Sequence, residues 1–187
     1  MVNKSPIKFL NVTWKDFEDD CVELSKKLKG IKIDKIIAIS RGGLVASRIL
    51  SDLLTVKISH ISISSYKNLQ QDQEPMISDV PKSNLKGKNI LIVDDVSDTG
   101  KTLKRAVKYF KDLNVKNIYT TAPYIKPQTI QIPDFWVKKT QSWIIFPYEI
   151  KETAKTFVKL YKSKNKAVKK LISLGLKEKT VNYVLSE

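Results

Sequence analysis

The chain has 187 residues, 42% of them apolar, and a net charge of +15 at neutral pH. It holds one Cys and one His, Cys21 and His60, which excludes an internal disulfide framework and a Cys/His zinc site. The apolar runs are too short to span a bilayer, and MVNKSPIKFL lacks a signal-peptide core, so a cytoplasmic protein with no membrane partner is expected.

Residues 13–30 place Phe17, Cys21, Leu24 and Leu28 at helix spacing. Thr13 is the expected N-cap and Gly30 the stop. KIIAIS (35–40) reads as a buried strand, and after the break Arg41-Gly42-Gly43 residues 44–54 read as a helix. VKISHISIS (56–64) alternates and is a strand, with His60 an ordinary member of it. From 64 to 88 periodicity is lost, and a loop of that length inside a domain is usually functional. NILIVDD (89–95) is the clearest strand, 101–113 is an amphipathic helix, and 117–125 is a strand. After Lys126 come short strand-like runs with three Pro and two Trp. The tail from 151 holds ten Lys against Glu152, Glu178 and Glu187, and its apolar spacing predicts two or three short helices.

Alternating strands and helices predict an α/β domain with a central parallel sheet flanked by helices. Ligands of such sheets bind at the carboxyl ends of strands. SRGG (40–43) and DDVSDTGKT (94–102) both fall there. Gly100-Lys101-Thr102 matches the end of a P-loop, but Asp95 stands where that motif needs its first Gly. A Walker-B or phospho-acceptor strand would account for ILIVDD and leave SDTGKT without a purpose. A third reading uses every residue. Ser97, Asp98, Thr99, Gly100, Lys101 and Thr102 enter a helix whose free N–H groups and dipole can hold a phosphate monoester. Asp94 and Asp95 then suit ribose hydroxyls, and Asp95 a hydrated Mg²⁺. The ligand would be a sugar phosphate with a metal. Arg41, one of three arginines among 31 lysines, is a candidate anion contact beside two glycines.

ILIVDDVSDTGKTL (90–103) resembles the signature of type I phosphoribosyltransferases, which bind 5-phosphoribosyl-1-pyrophosphate (PRPP), and AISRGGL (38–44) resembles their pyrophosphate loop. The resemblance spans about residues 12–150. It is nearest to the short 6-oxopurine (xanthine/hypoxanthine–guanine) enzymes, through Val12–Trp14, Ile63–Tyr66, Lys126–Pro127 and Trp143–Glu149. It implies the type I fold in a catalytic domain over 1–150. A small hood is expected from about 1–14 and 126–150, and a mobile loop over 64–88. Residues 151–187 are then a basic helical extension with no counterpart in the family.

The implied reaction gives a nucleoside monophosphate, GMP or IMP among them, from PRPP and guanine, hypoxanthine or xanthine. It passes through an oxocarbenium-like sugar. Ser40, Arg41 and Gly42 would hold pyrophosphate, with Ser65 and Tyr66 at the hinge of the closing loop. Asp98 would handle the proton at purine N7. Lys126, a pure donor, would select a 6-oxo group, Trp143 would stack on the purine, and the Ile144 backbone would meet its pyrimidine edge. The loop lacks the arginine that relatives often place on pyrophosphate, and either Lys67 or Lys82 takes its place or no residue does. Ile144–Phe146 replaces a more polar segment of the bacterial relatives. A homo-oligomer, dimer or tetramer, is expected. The alternatives are a PRPP-sensing nucleic-acid regulator, which the basic tail would suit, and an enzyme for another base such as adenine. Nucleic acid is not the expected partner, because a regulator needs no base-reading lysine and tryptophan.

Overall fold

The computed structural model describes residues 7–64 and 75–186. They form two compact units, 18–140 and the pair of segments 1–17 and 141–187. The larger unit is built on β2 (Lys35–Ser40), β3 (Ile58–Ser64), β5 (Asn89–Val93) and β7 (Asn117–Ile125). These pair in parallel in the order β3-β2-β5-β7. All five residues of β5 are buried, as are four of the six in β2. Continuous apolar strands are what a parallel sheet covered on both faces requires.

The pleat sends alternate residues to opposite faces. Ile37, Ile39, Ile90 and Ile92 meet Leu103, Ala106 and Phe110 of α3 (Lys101–Lys111) on one face. α2 (Gly43–Leu54) packs on the other through Ala46 and Leu50. α1 (Trp14–Lys27) starts at the expected cap: the Thr13 Oγ1 accepts from the Asp16 N–H at 3.1 Å, and Asp16 accepts from the Thr13 N–H at 3.0 Å. Cys21 is fully buried in it, as its helix spacing implied.

Three strands differ from the sequence reading. β4 (Met76–Asp79) lies inside the stretch expected to be one patternless loop, antiparallel to β3. It is an edge strand with only Met76 and Ile77 apolar and no buried residue, so it left no alternation to read. β6 (Val96–Ser97) is a two-residue continuation of β5 along β7. β8 (Phe135–Lys139) pairs in parallel with β7 and belongs to the large sheet, whereas 126–150 had been read as hood throughout. A polar cluster anchors it: the Tyr124 hydroxyl donates to Asp20 Oδ2 at 2.5 Å, and Lys138 Nζ lies 2.7 Å from Asp20 Oδ1.

In the smaller unit β1 (Phe9–Asn11) pairs in parallel with β9 (Trp143–Ile145). The tail forms three helices, α4 (Ile150–Tyr161), α5 (Lys164–Ser173) and α6 (Glu178–Val184). Their apolar faces close on Ile145 and Phe9 through Ala154, Phe157, Ala167, Leu171 and Val181. The tail is therefore part of a core and not only a charged surface. No helix among the described residues is long and apolar enough to cross a membrane.

Candidate active site

The two sequence motifs meet at the carboxyl ends of β2 and β5. The chain leaves β2 through a cis Ser40–Arg41 peptide and turns at Gly42 and Gly43 into α2. A Cβ on Gly42 would lie 2.6 Å from both Cγ and Oδ1 of Asp95, and one on Gly43 would fall on the Val93 carbonyl. Only glycines let this turn pass so close to the end of β5. Beside it a cavity of about 360 Å³ is lined by Ser40, Arg41, Ser62, Ile63, Ser64 and Ser78. Ser40 and Ser62 are register partners on β2 and β3. Four hydroxyls and one guanidinium make a donor-rich hollow suited to an anion.

Asp94 and Asp95 are 9% and 7% exposed. Each accepts from the next backbone N–H: Asp95 N to Asp94 Oδ1 at 3.0 Å, and Val96 N to Asp95 Oδ1 at 2.7 Å. These bonds fix the carboxylates where β5 passes into β6. Ahead of them a second cavity, about 210 Å³, is lined by Asp94, the run 96–100, Thr102 and Leu103. Gly100 takes the left-handed conformation, φ 78°, at the N-cap of α3. The start of α3, the positive end of the helix dipole, therefore lines this hollow through Gly100, Thr102 and Leu103.

For two of the expected phosphate contacts, Ser97 and Lys101, the structure separates side chain from backbone. Ser97 is 2% exposed, and its hydroxyl is engaged by Thr129 Oγ1 and the Gln131 carbonyl, each at 2.8 Å. Its side chain is a brace, and what it offers the cavity is backbone. The Lys101 side chain does not line this hollow. It lines a groove along α3 with Lys104, Arg105 and Lys108, since residues three, four and seven positions apart share one face of a helix.

Asp98 accepts from Gln128 Nε2 at 2.6 Å. Lys126, at the end of β7, is 8% exposed, and its backbone N–H donates to the Ser97 carbonyl at 3.0 Å. Burial lowers its pKa from 10.5, and the nearby Asp98 carboxylate pulls the other way. Asp98 and Lys126 are thus electrostatic neighbours at the same sheet edge. In the smaller unit, Trp143 on β9 is 47% exposed while Ile144 is buried. An exposed Trp on a short strand leaves a ring face available for stacking. Ser65, Tyr66 and Lys67 lie outside the described residues.

The model of the phosphoribosyl transferase domain matches residues 13–154. The chain belongs to that family. A xanthine-guanine phosphoribosyltransferase of Cereibacter sphaeroides is 31% identical over 153 residues, 76% of this chain and 88% of that protein. The crystal structure of a purine phosphoribosyltransferase from Pyrococcus horikoshii superposes with a TM-score of 0.70 at 36% identity, covering 75% of this chain and 93% of that one. The Helicobacter pylori xanthine-guanine-hypoxanthine phosphoribosyltransferase gives 0.68 at 24% identity over 79% of this chain and 98% of that one, and at that identity it bears on the fold alone.

For this phosphoribosyltransferase the sequence reading missed Ser62 and Ser78 in the hollow beside Arg41, and Gln128 and Thr129 behind the phosphate loop. Ser62 had a signal, since it shares with Ser64 one face of a strand that ends beside Ser40. Ser78 sits on the unread β4, and Gln128 and Thr129 sit in a turn with no periodicity.

Proposed function

We propose that this phosphoribosyltransferase joins the 5-phosphoribosyl group of PRPP to a 6-oxopurine, releasing pyrophosphate and a nucleoside 5′-monophosphate in a purine-salvage reaction. The observation that carries the base class is Lys126: a buried lysine beside Asp98, at the strand end next to the phosphate loop. An ammonium only donates, so it matches O6 of guanine, hypoxanthine or xanthine and opposes the amino group of adenine. A buried donor facing a donor disfavours the wrong base by orders of magnitude.

The C1–oxygen bond to pyrophosphate breaks as C1 bonds to the purine ring nitrogen. The 5′-phosphate sits in the smaller hollow, held by backbone N–H groups of 98–102 and by the Thr99 and Thr102 hydroxyls. The leaving pyrophosphate occupies the hollow of Ser40, Arg41, Ser62, Ser64 and Ser78, where donors stabilise its growing charge. Asp94 and Asp95 hold the ribose hydroxyls, and their charge favours a sugar carbon that turns cationic. Asp98 takes the proton that the purine gives up at N7. Trp143 and Ile144 keep their roles as base contacts on the family resemblance.

Among the described residues no group of three His, Cys, Asp or Glu forms an all-protein metal cage. The buried pair Asp94 and Asp95 fits Mg²⁺, which binds through one or two carboxylates together with ligand oxygens and water. Mg²⁺ would neutralise pyrophosphate oxygens, with Asp95 the residue that holds it. The test is a substrate panel: full-length protein with Mg²⁺, PRPP and each purine base. Release of pyrophosphate with guanine, hypoxanthine or xanthine but not adenine is expected. Turnover of adenine alone would refute the base assignment.

A further inference from the structure

In the turn that follows Lys126, each of residues 128–131 is tied to the phosphate loop. Gln128 Nε2 donates to Asp98 Oδ1 at 2.6 Å. Thr129 Oγ1 lies 2.8 Å from Ser97 Oγ. The Ile130 N–H donates to the Thr99 carbonyl at 3.0 Å, and Ser97 Oγ donates to the Gln131 carbonyl at 2.8 Å. Thr129 Oγ1 also donates to the Gln131 carbonyl at 3.1 Å, so the Ser97 and Thr129 hydroxyls share that acceptor, and either of them can be the donor in their mutual contact. At Gly100 the fit is closer still: an added Cβ would lie 2.5 Å from Thr129 Oγ1 and 2.5 Å from the Gln131 nitrogen. The turn is itself closed by the Thr129 N–H on the Lys126 carbonyl at 3.1 Å.

We propose that Thr129 is a positioning residue for the 5′-phosphate of PRPP, acting through Ser97 and Gly100 to hold the phosphate loop in its receiving shape. This rests on the reading of that loop as the 5′-phosphate site. The loop grips its ligand largely through backbone N–H groups, whose directions are set by what stands behind them. Thr129 stands directly behind both ends, with one hydroxyl touching the residue before Asp98 and the residue at the helix cap. It reaches no ligand itself, because Ser97 and Gly100 lie between it and the hollow. Thr129→Val keeps the branched shape and removes the hydroxyl's contacts with Ser97 and Gln131, whereas Thr129→Ser keeps the hydroxyl, so the two variants together separate positioning from packing.

The experiment measures kcat, the KM for PRPP and the KM for guanine in full-length wild type, Thr129→Val and Thr129→Ser. It also measures the affinity of each for ribose 5-phosphate by calorimetry. Thr129→Val is expected to raise the PRPP KM and weaken ribose 5-phosphate by about tenfold, the effect of one lost hydrogen bond. The guanine KM should move less than about twofold, and Thr129→Ser should restore PRPP to within about twofold of wild type. Ser97→Ala combined with Thr129→Val should cost little more than either alone, because the two act as one unit. The inference is overturned by an unchanged ribose 5-phosphate affinity in Thr129→Val. It is equally overturned by a uniform loss of all three kinetic constants that Ser does not rescue. If wild type binds ribose 5-phosphate yet turns over no purine, the proposed function fails, and the binding ratio still judges Thr129.

Discussion

The space that a side chain on Gly42 would need is filled by the carboxylate of Asp95. The turn after β2 and the acidic pair after β5 are therefore fitted to one another, although they follow different strands. Gly42→Ala forces one of them to move. We expect a loss of about 1–3 kcal/mol in stability from the overpacking and a fall in kcat/KM of about 10²-fold, the cost of a misplacement near 1 Å. Thermal melting and steady-state kinetics check both. Unaltered kinetics would mean that the turn and Asp95 are not jointly placed for catalysis.

Asp98→Asn keeps the shape and a partner for Gln128 while removing the proton acceptor. Turnover should fall by about 10²–10⁴-fold, with PRPP affinity within about threefold of wild type. Calorimetry with PRPP beside single-turnover kinetics separates the two. Equal losses in both would make Asp98 a structural cap of the loop.

Lys126 gives a pH signature. Burial lowers its pKa below 10.5 and Asp98 opposes that shift. Base recognition by the ammonium is therefore lost as pH rises through the lowered value, earlier than for an ordinary lysine. Between that value and 10.5 the unfolded chain binds the extra proton. Stability then rises with pH across the window, and the cost of the buried charge is present in full below it. Asp98→Asn moves the loss of nucleotide affinity to lower pH. Lys126→Met weakens GMP binding by roughly ten- to a hundredfold, the range of a hydrogen bond to a charged group, and supplies the nucleotide's own titration as the control.

The central strands could be read from sequence because β2 and β5 are buried on both faces and had to be apolar throughout. The loop 94–102 was legible as a candidate site because a helix start, a glycine and carboxylates stand together at a strand end, and most of these residues do line one cavity. What escaped was held by partners far along the chain. Ser97 and Thr129 meet across 32 residues, and nothing local to either marks the bond. Ser97 was read as a phosphate contact with the rest of its loop, and the partners of its hydroxyl lie 32 and 34 residues away. β4 escaped because an exposed edge strand needs no apolar pattern. The tail was read mainly by its lysines, while Phe157 and Leu171, both fully buried, decide its place in the fold.

Cys21 offers a clean readout of global stability. Burial, with Asp20 and Glu18 adding to it, pushes its thiol up to about 12, so it stays protonated at neutral pH. A thiol reagent at pH 8 should leave the native protein unlabelled and label one site per chain in denaturant. Fast labelling of the native protein would show that α1 opens locally.

Phe157 packs at 4.8 Å between ring centroids on Phe9, inside the core of the smaller unit. Phe157→Ala should cost about 3–5 kcal/mol, measured by denaturant unfolding. A chain ending at residue 150 leaves Phe9 and Ile145 without their covering helices and should precipitate on expression. A soluble, fully active truncation would show that the tail helices are dispensable to that core.

The pairing of β1 with β9 also orders events at the ribosome. Phe9–Asn11 is made early, but its partner strand Trp143–Ile145 is made only after the whole of the large sheet. The sheet, whose strands all emerge in between, can complete its folding first. The early strand must wait unpaired until synthesis has passed the last residue of the motif-bearing unit. The loops around Asp95 and Asp98 are thus assembled in the nascent chain before Trp143 has been made.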